Sequence, residues 1–229
     1  ASFVERTLDP GRAGAFFEEA RAFKRSIEPA GQHNALGQVL LKLASPGVAD
    51  VYQGCELWDL SLVDPDNRRP VDFAARERML AELDAAWARD PSRLCRELSR
   101  SLDDGRAKLF LTAQGLRLRR RQSALFREGG YRPLDVQGPL QDRAVALVRF
   151  RGRCCVVAAA PRLTHRLVAR GRPLGEGYRE TTVVLPEELS RVPLRSVFTG
   201  KKVRVRKRGI DLGELLADFP VVLLEGGAE

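Results

Sequence analysis

Between Pro46 and Phe73 the chain reads PGVADVYQGCELWDLSLVDPDNRRPVDF, which gathers Tyr52, Gln53, Glu56, Trp58, Asp59, Asp64, Asp66, Asn67, Arg68 and Arg69 into one short stretch. Carboxylates, amides and guanidinium groups hydrogen-bond hydroxyls, and an indole stacks on the apolar face of a pyranose ring. The chemistry such a set suits is carbohydrate binding. Each residue also has a plainer use. Asp and Asn cap turns, and each Arg can bridge a neighbouring carboxylate, giving a loop that satisfies itself. Trp58 can stack on a sugar or lie as a lid over a core. Glu56 reads first as half of a structural ion pair and second as an acid or base. Tyr52 and Gln53, at the end of the apolar run Val48 to Tyr52, are best placed to face a substrate, because strand-end loops are where α/β enzymes keep their sites.

Those residues need elements to hold them. Asp9-Pro10 has the form of a helix start, with Asp as cap and Pro at the first position. Phe16, Phe17, Ala20, Phe23 and Ile27 follow at helical spacing, then Pro29-Ala30-Gly31 reads as a break. A second amphipathic helix is expected through Ala35, Val39, Leu40 and Leu43, ending before Ser45-Pro46-Gly47. Val48 to Tyr52 then reads as a short strand buried on both faces. This helix, turn and strand make the αβ step of a parallel α/β fold. Beyond the polar loop the spacing predicts helices over 72–87, from Pro91 to Leu102, and over 107–125, where Arg119, Arg120 and Arg121 form a wet helix end suited to the dipole.

The pattern changes at Gly129-Gly130. From Tyr131 short β-type runs alternate with turns: 144–150, 154–160, 181–185, 196–199, 202–205 and 219–224. Their number and spacing indicate a β-sandwich, so a domain boundary is placed near Gly129. Lys201, Lys202, Arg204, Arg206, Lys207 and Arg208 alternate with Val203 and Val205. This reads as an edge strand guarded by charge, with a phosphate-binding surface as the second reading.

Composition narrows the function. The chain has 229 residues and is 44% hydrophobic, enough for one or two domains with a proper core. It has no apolar run long enough for a membrane span and no apolar signal core at its start, so no membrane partner is expected. Cys55, Cys95, Cys154 and Cys155 lack metal-ligand spacing, and the adjacent pair must face opposite sides of a strand. Free thiols in a reducing cytoplasm are the expectation. With His33 and His165 as the only histidines, neither a metal site nor another cofactor is expected. The net charge of +9 raises nucleic-acid binding. Arginine is spread over helices and loops alike, as in the arginine-rich usage of a GC-rich genome, so no nucleic-acid partner is expected.

The chain resembles the maltooligosyl trehalose synthases, of the α-amylase clan. HNALGQVLLKLASPGVADVYQGCELWDLSLVDPDNRRPVDF is similar to that family's last barrel helix, strand and loop. GRAKLFLTAQGLRLRRRQSALFREGGYRPL resembles the final barrel helix and the passage into the C domain, and LLADFPVVLL the family's close. The departures are Ala49 for proline, Cys55 for threonine and Gln122-Ser123 for His-Pro.

The resemblance implies a fold in two parts. Residues 1–128 would be the C-terminal portion of a (β/α)8 barrel, its last αβα units with helical insertions, and 129–229 an all-β sandwich C domain. It implies the activity of a (1→4)-α-D-glucan 1-α-D-glucosylmutase, an intramolecular transglucosylation that turns the reducing end of a maltooligosaccharide into a trehalosyl unit. The family's retaining chemistry uses a carboxylate nucleophile and a carboxylic general acid. In the clan these and a third, supporting aspartate lie on barrel strands four, five and seven, and by the resemblance this chain would begin after strand seven. The ten loop residues would then bind substrate without catalysing, the maltooligosaccharide being held with the missing remainder of the barrel, and the chain alone would be inactive. A reading of another class stays open: a free-standing basic module that binds glycan or nucleic acid.

Overall fold

The computed structural model describes residues 2–168 and 173–227. Its first half is helical: α1 (Ser2–Thr7), α2 (Gly14–Ala44), α3 (Phe73–Arg89), α4 (Pro91–Arg100), α5 (Arg106–Arg121) and α6 (Ser123–Glu128). Strands begin at Gly130: β1 (Gly130–Leu134), β2 (Val136–Gln137), β3 (Ala144–Arg151) and β4 (Cys154–Pro161). After the short α7 (His165–Val168) and α8 (Leu174–Gly177) come β5 (Thr182–Val184), β6 (Leu194–Ser196), β7 (Gly209–Asp211), α9 (Leu212–Leu216) and β8 (Val222–Gly226).

The strands form two antiparallel sheets, one ordered β1-β3-β4-β8-β6 and the other β2-β5-β7. The architecture is thus a layer of helices with antiparallel sheets. Strand periodicity divides the core between the layers. On β4, Val156, Ala158 and Ala160 face the helices, where they join Leu36, Leu40, Phe110 and Leu118. Cys155, Val157 and Ala159 face the other way, toward Val183 and Ile210 of the second sheet. The adjacent thiols accordingly part, Cys154 packing against the first core and Cys155 lying in the second. Small residues let the layers meet closely: a Cβ on Gly37 of α2 would stand 3.4 Å from the Cβ of Ala160.

Caps explain the helices that form where the residues indicate. Asp72 accepts from the Ala75 N–H at the start of α3, and Asp90 from the Arg93 N–H just ahead of Pro91. The passage from helices to sheet is fixed by Arg149 of β3, which is only 2% exposed. Its guanidinium donates to Gly130 O at 3.1 Å, Phe126 O at 3.0 Å and Gly129 O at 3.2 Å. It thereby fills the carbonyl end of α6, where a cation is favoured.

Several expectations are corrected. Val48 to Tyr52 is not a strand. It runs as irregular chain with Val48 94% exposed and Tyr52 44% exposed. A strand needs a neighbour to take its backbone hydrogen bonds, and none of the described strands lies beside this run. Pro29 does not break the first helix, which is continuous from Gly14 to Ala44. The loss of one N–H donor there is outweighed by burial of the residues that follow. Nor does Asp9-Pro10 start that helix. Asp9 closes a separate turn, accepting from the Gly11 N–H on its side chain and from Ala13 N on its carbonyl.

The run 202–205 is likewise not a strand, because only isolated bridges at Lys202 and Arg206 hold it. The run 196–199 is strand only at Ser196, where β6 ends, and the helix expected over 107–125 stops at Arg121 and restarts at Ser123. Arg119 is not a wet helix end. It donates to Leu43 O and Gly47 O at 2.7 Å each and lies 4.7 Å over the Phe126 ring, closing the C-terminus of α2.

His33, where α2 enters the body, gives the fold a pH dependence. Its Nδ1 donates to Pro29 O at 2.7 Å. Burial pushes the imidazole below its ordinary value of 6.5, the hydrogen bond opposing this more weakly. The unfolded chain therefore takes up a proton at a pH where the folded chain does not. Stability is full above pH 6.5 and falls as pH drops through that value, levelling off below the folded pKa. Urea unfolding between pH 7.5 and 5.5 should show this loss in the parent and a flatter profile in His33→Gln. Parallel profiles would contradict it.

Candidate functional site

The loop from Gln53 to Asp72 is irregular, apart from one 3-10 turn at Asp66–Arg68. Its shape comes from anchors on the helices that flank it. Gly54 sits at φ +89, a region that suits glycine. Arg76, in the first turns of α3, donates to Gly54 O at 3.0 Å and pairs with Glu56 at 3.1 Å. Lys108, in the first turn of α5, donates to Leu57 O at 2.9 Å and stands 5.5 Å over the Trp58 ring. The indole N–H of Trp58 donates to Leu102 O at 2.6 Å. Gly105 leaves room for this contact, since a Cβ there would lie 3.0 Å from Trp58 N.

The second half of the loop is held by its own side chains. Asp59 accepts from the Ser61 N–H at 2.9 Å, and Asp66 from the Leu62 N–H at 2.8 Å. Asp66 also pairs with Arg69, and Asp64 with Arg68. Asn67 Oδ1 is buried and has no hydrogen-bond partner among the described residues.

Of the ten residues singled out in the sequence, Gln53, Trp58, Asp59, Asn67 and Arg69 come together around a cleft of about 140 Å³, which Asp72 and Arg76 also line. Glu56 reaches it through Arg76. Tyr52, Asp64, Asp66 and Arg68 do not line it. Asp64 and Arg68 face water as an exposed pair, while Asp66 works from inside the loop. Arg76 and Lys108 are the residues sequence reasoning missed. Their signal was present: a cation in the first turns of a helix opposes the dipole, so it needs another employment.

The charged groups at and near the cleft are set by their neighbours. Hydrogen bonds from Ser61 hold the Asp59 carboxyl below its ordinary range, so it stays ionised as an acceptor. Burial lowers Lys108 and raises the Cys55 thiol, which has Asp59 nearby as a smaller cause. A carboxylate pinned in its charged form accepts hydrogen bonds well and donates no proton near neutrality. Among the described residues no group of three His, Cys, Asp or Glu is placed to hold a metal ion, and no helix is long and apolar enough to cross a membrane.

Known proteins resemble this chain in sequence and in fold. A Mycobacterium tuberculosis H37Rv protein named as a maltooligosyl trehalose synthase is 34% identical over 221 residues, 96% of this chain and 24% of its own length. The solved structure of maltooligosyltrehalose synthase from Arthrobacter ramosus matches with a TM-score of 0.73 at 33% identity, over 98% of this chain and 26% of that one. A second solved maltooligosyl trehalose synthase gives a TM-score of 0.60 at 26% identity, over 99% of this chain and 26% of its own. No protein-family model matches. The similarity read from the residues therefore runs along nearly the whole chain, which spans about a quarter of the relatives it matches.

Proposed function

We propose that this chain is the C-terminal quarter of a maltooligosyl trehalose synthase, a cytoplasmic glucosylmutase. The single observation that carries the reading is likeness to such synthases in both sequence and structure along nearly all of the chain. In this reading residues 1–128 are the last part of a (β/α)8 barrel and 129–229 a β-sandwich. Support for that division comes from the change from helices to antiparallel strands at Gly130 and from the two sheets that share the second core.

The loop residues bind sugar without breaking or making bonds. Gln53, Asn67 and Asp59 supply hydrogen-bonding atoms at the cleft, with the free buried oxygen of Asn67 the first candidate acceptor for a hydroxyl. Trp58 is pinned by its N–H and its ring packs on the first core, which supports its role as the lid. Tyr52, Asp64, Asp66 and Arg68 act by shaping the loop or by meeting the rest of the polypeptide. Glu56 serves as the partner of Arg76.

The test is to assay this chain and the longer polypeptide encoded in its reading frame on maltopentaose, following loss of reducing ends. The longer polypeptide should consume them and this chain should leave them untouched. Sustained turnover by the pure chain, or none by the longer polypeptide, would overturn the reading.

A further inference from the structure

Residues 201–208 read KKVRVRKR, six cations and two valines with no acidic residue among them. The proposed function uses none of these cations. At one end the bridge of Lys202 to Arg195 attaches the segment to β6, the outer strand of the five-stranded sheet. At the other end Arg206 bridges Gly209, where β7 begins as the outer strand of the second sheet. The segment thus crosses from the edge of one sheet to the edge of the other. Val203 and Val205 pack on the second core, while Lys202, Arg204 and Arg206 are exposed. Such alternation is that of extended chain, which sets neighbouring cations about 6.6 Å apart and the row from Lys202 to Arg206 over about 13 Å.

The carboxylates nearby are mostly engaged elsewhere. Asp218 pairs with Lys201 and Arg96, Glu225 with Arg121, and Glu188 with Arg132. Asp211 caps α9 by accepting from the Glu214 N–H. Glu214 lines the same small cavity as Lys202 and Arg204 and pairs with neither. Lys202, Arg204, Arg206 and Lys207 have no carboxylate partner among the described residues. The tip of the segment adds to the charge at a cost in stability. Arg206 and Gly209 exchange both backbone hydrogen bonds, at 2.9 and 2.7 Å, around Lys207 at φ +46 and Arg208 at φ +68. Positive φ at both central residues makes a type I′ turn, which Asn-Gly fills without strain and Lys-Arg does not. Arg206, Lys207 and Arg208 line a cleft of about 560 Å³ with Gln137 and Glu180. Lys202, Arg195 and Arg121 line a second, of about 600 Å³, with Glu225.

A ligand for this row must carry negative charge over a length, since one phosphate can touch at most two cations so spaced. It must also bind by charge alone. Among the described residues no large apolar or aromatic side chain beyond Leu163 is exposed, so this side has no platform for a base and no anchor for a bilayer. We infer that residues 201–208 and the two flanking clefts bind an extended inorganic polyphosphate. Its charges recur at every phosphorus, so each guanidinium of the row meets oxygens for its forked donors. Nucleic acid spaces its phosphates with sugars and brings bases that nothing here would stack.

The experiment titrates inorganic polyphosphate into this chain and, separately, into the longer polypeptide encoded in its reading frame. Both should bind, with an affinity that falls steeply between about 50 and about 200 mM salt. Arg204→Gln with Arg206→Gln should weaken binding about tenfold or more and lower the salt slope by about two. Arg127→Gln with Arg166→Gln removes as much charge from exposed sites elsewhere and should change the affinity by less than about twofold. Lys207→Asn separates the site from the fold. Asparagine suits the positive φ there, so the melting temperature should hold or rise while binding falls. Arg208 is left in place because it donates to Leu185 O at 3.0 Å. Polyuridylate and vesicles of anionic lipid should bind more weakly, and orthophosphate at equal phosphorus should compete poorly.

Absence of binding would overturn the inference, as would binding by the lone chain that the longer polypeptide lacks. Equal losses in the two double variants would make net charge the whole cause and overturn it as well. Parental affinity in Lys207→Asn would remove the tip from the site and leave its strain without the assigned purpose, against the inference. Tighter binding of polyuridylate or vesicles would name another partner, and full competition by orthophosphate would reduce the row to a single anion site. Either result contradicts the assignment.

Discussion

Asp66→Ala, made in the longer polypeptide, is expected to cut kcat/KM about ten- to a hundredfold while leaving the enzyme active. Asp66 holds the Leu62 N–H and pairs with Arg69, so it fixes both limbs of the loop around the 3-10 turn. A hydrogen bond to a charged group contributes roughly 1.5–3 kcal/mol, and about 1.4 kcal/mol is tenfold in rate. Arg69→Ala removes the pair and one guanidinium from the cleft's edge but leaves the Asp66 bond to the Leu62 N–H in place, so its cost should be the smaller. The double variant should cost no more than Asp66→Ala, because the second change removes an interaction already gone.

In the lone chain Arg69→Ala should be nearly neutral to stability, since this pair faces water and exposed pairs contribute about 0–1 kcal/mol. If the loop holds glucose between bond cleavage and reclosure, both variants should also release more free glucose per trehalosyl unit. The ratio of the two products from maltopentaose, measured with kcat/KM, checks this. Additive costs in the double variant, or activity abolished in a folded single variant, would contradict the assigned role.

What the residues disclosed by themselves was governed by how local the determining forces are. The helices expected from 72 and from Pro91 appear as α3 and α4, because the caps that set their starts, Asp72 and Asp90, act within three residues. The apolar runs over 144–150 and 154–160 appear as β3 and β4, because each is flanked by turn residues and buried on the sheet's two faces. Longer-range demands were invisible. The run 48–52 has the composition of a buried strand yet no partner here, and Pro29 sits in a helix whose continuity is decided by contacts beyond it.

The candidate site was half legible. Its polar residues stood out by density, but the cleft depends on Arg76 and Lys108, which reach back from later helices to fix loop carbonyls. Arg119 and Arg149 show the same limit. Each resembles a surface cation in sequence, and each closes a helix end through carbonyls far along the chain. The family resemblance carried what local patterns could not, because YQGCELWDLSLV joined to DPDNRRP is specific even where the strand ahead of it does not form.

The central claim is the proposed division of labour: this quarter would position sugar, and the carboxylates that react would lie outside it. A retaining mechanism passes through a covalent glycosyl-enzyme. That species can be trapped by incubating the longer polypeptide with a fluorinated glucosyl fluoride, whose intermediate forms but turns over slowly. Proteolysis and mass spectrometry then locate the sugar. Loss of a residue that carries such an adduct abolishes turnover far more completely than loss of a positioning contact, so the adduct's place separates the two roles without reference to rates. The account predicts a single glycosylated carboxylate on a peptide outside the 229 residues of this chain. An adduct on Glu56, Asp59, Asp64 or Asp66 would contradict it.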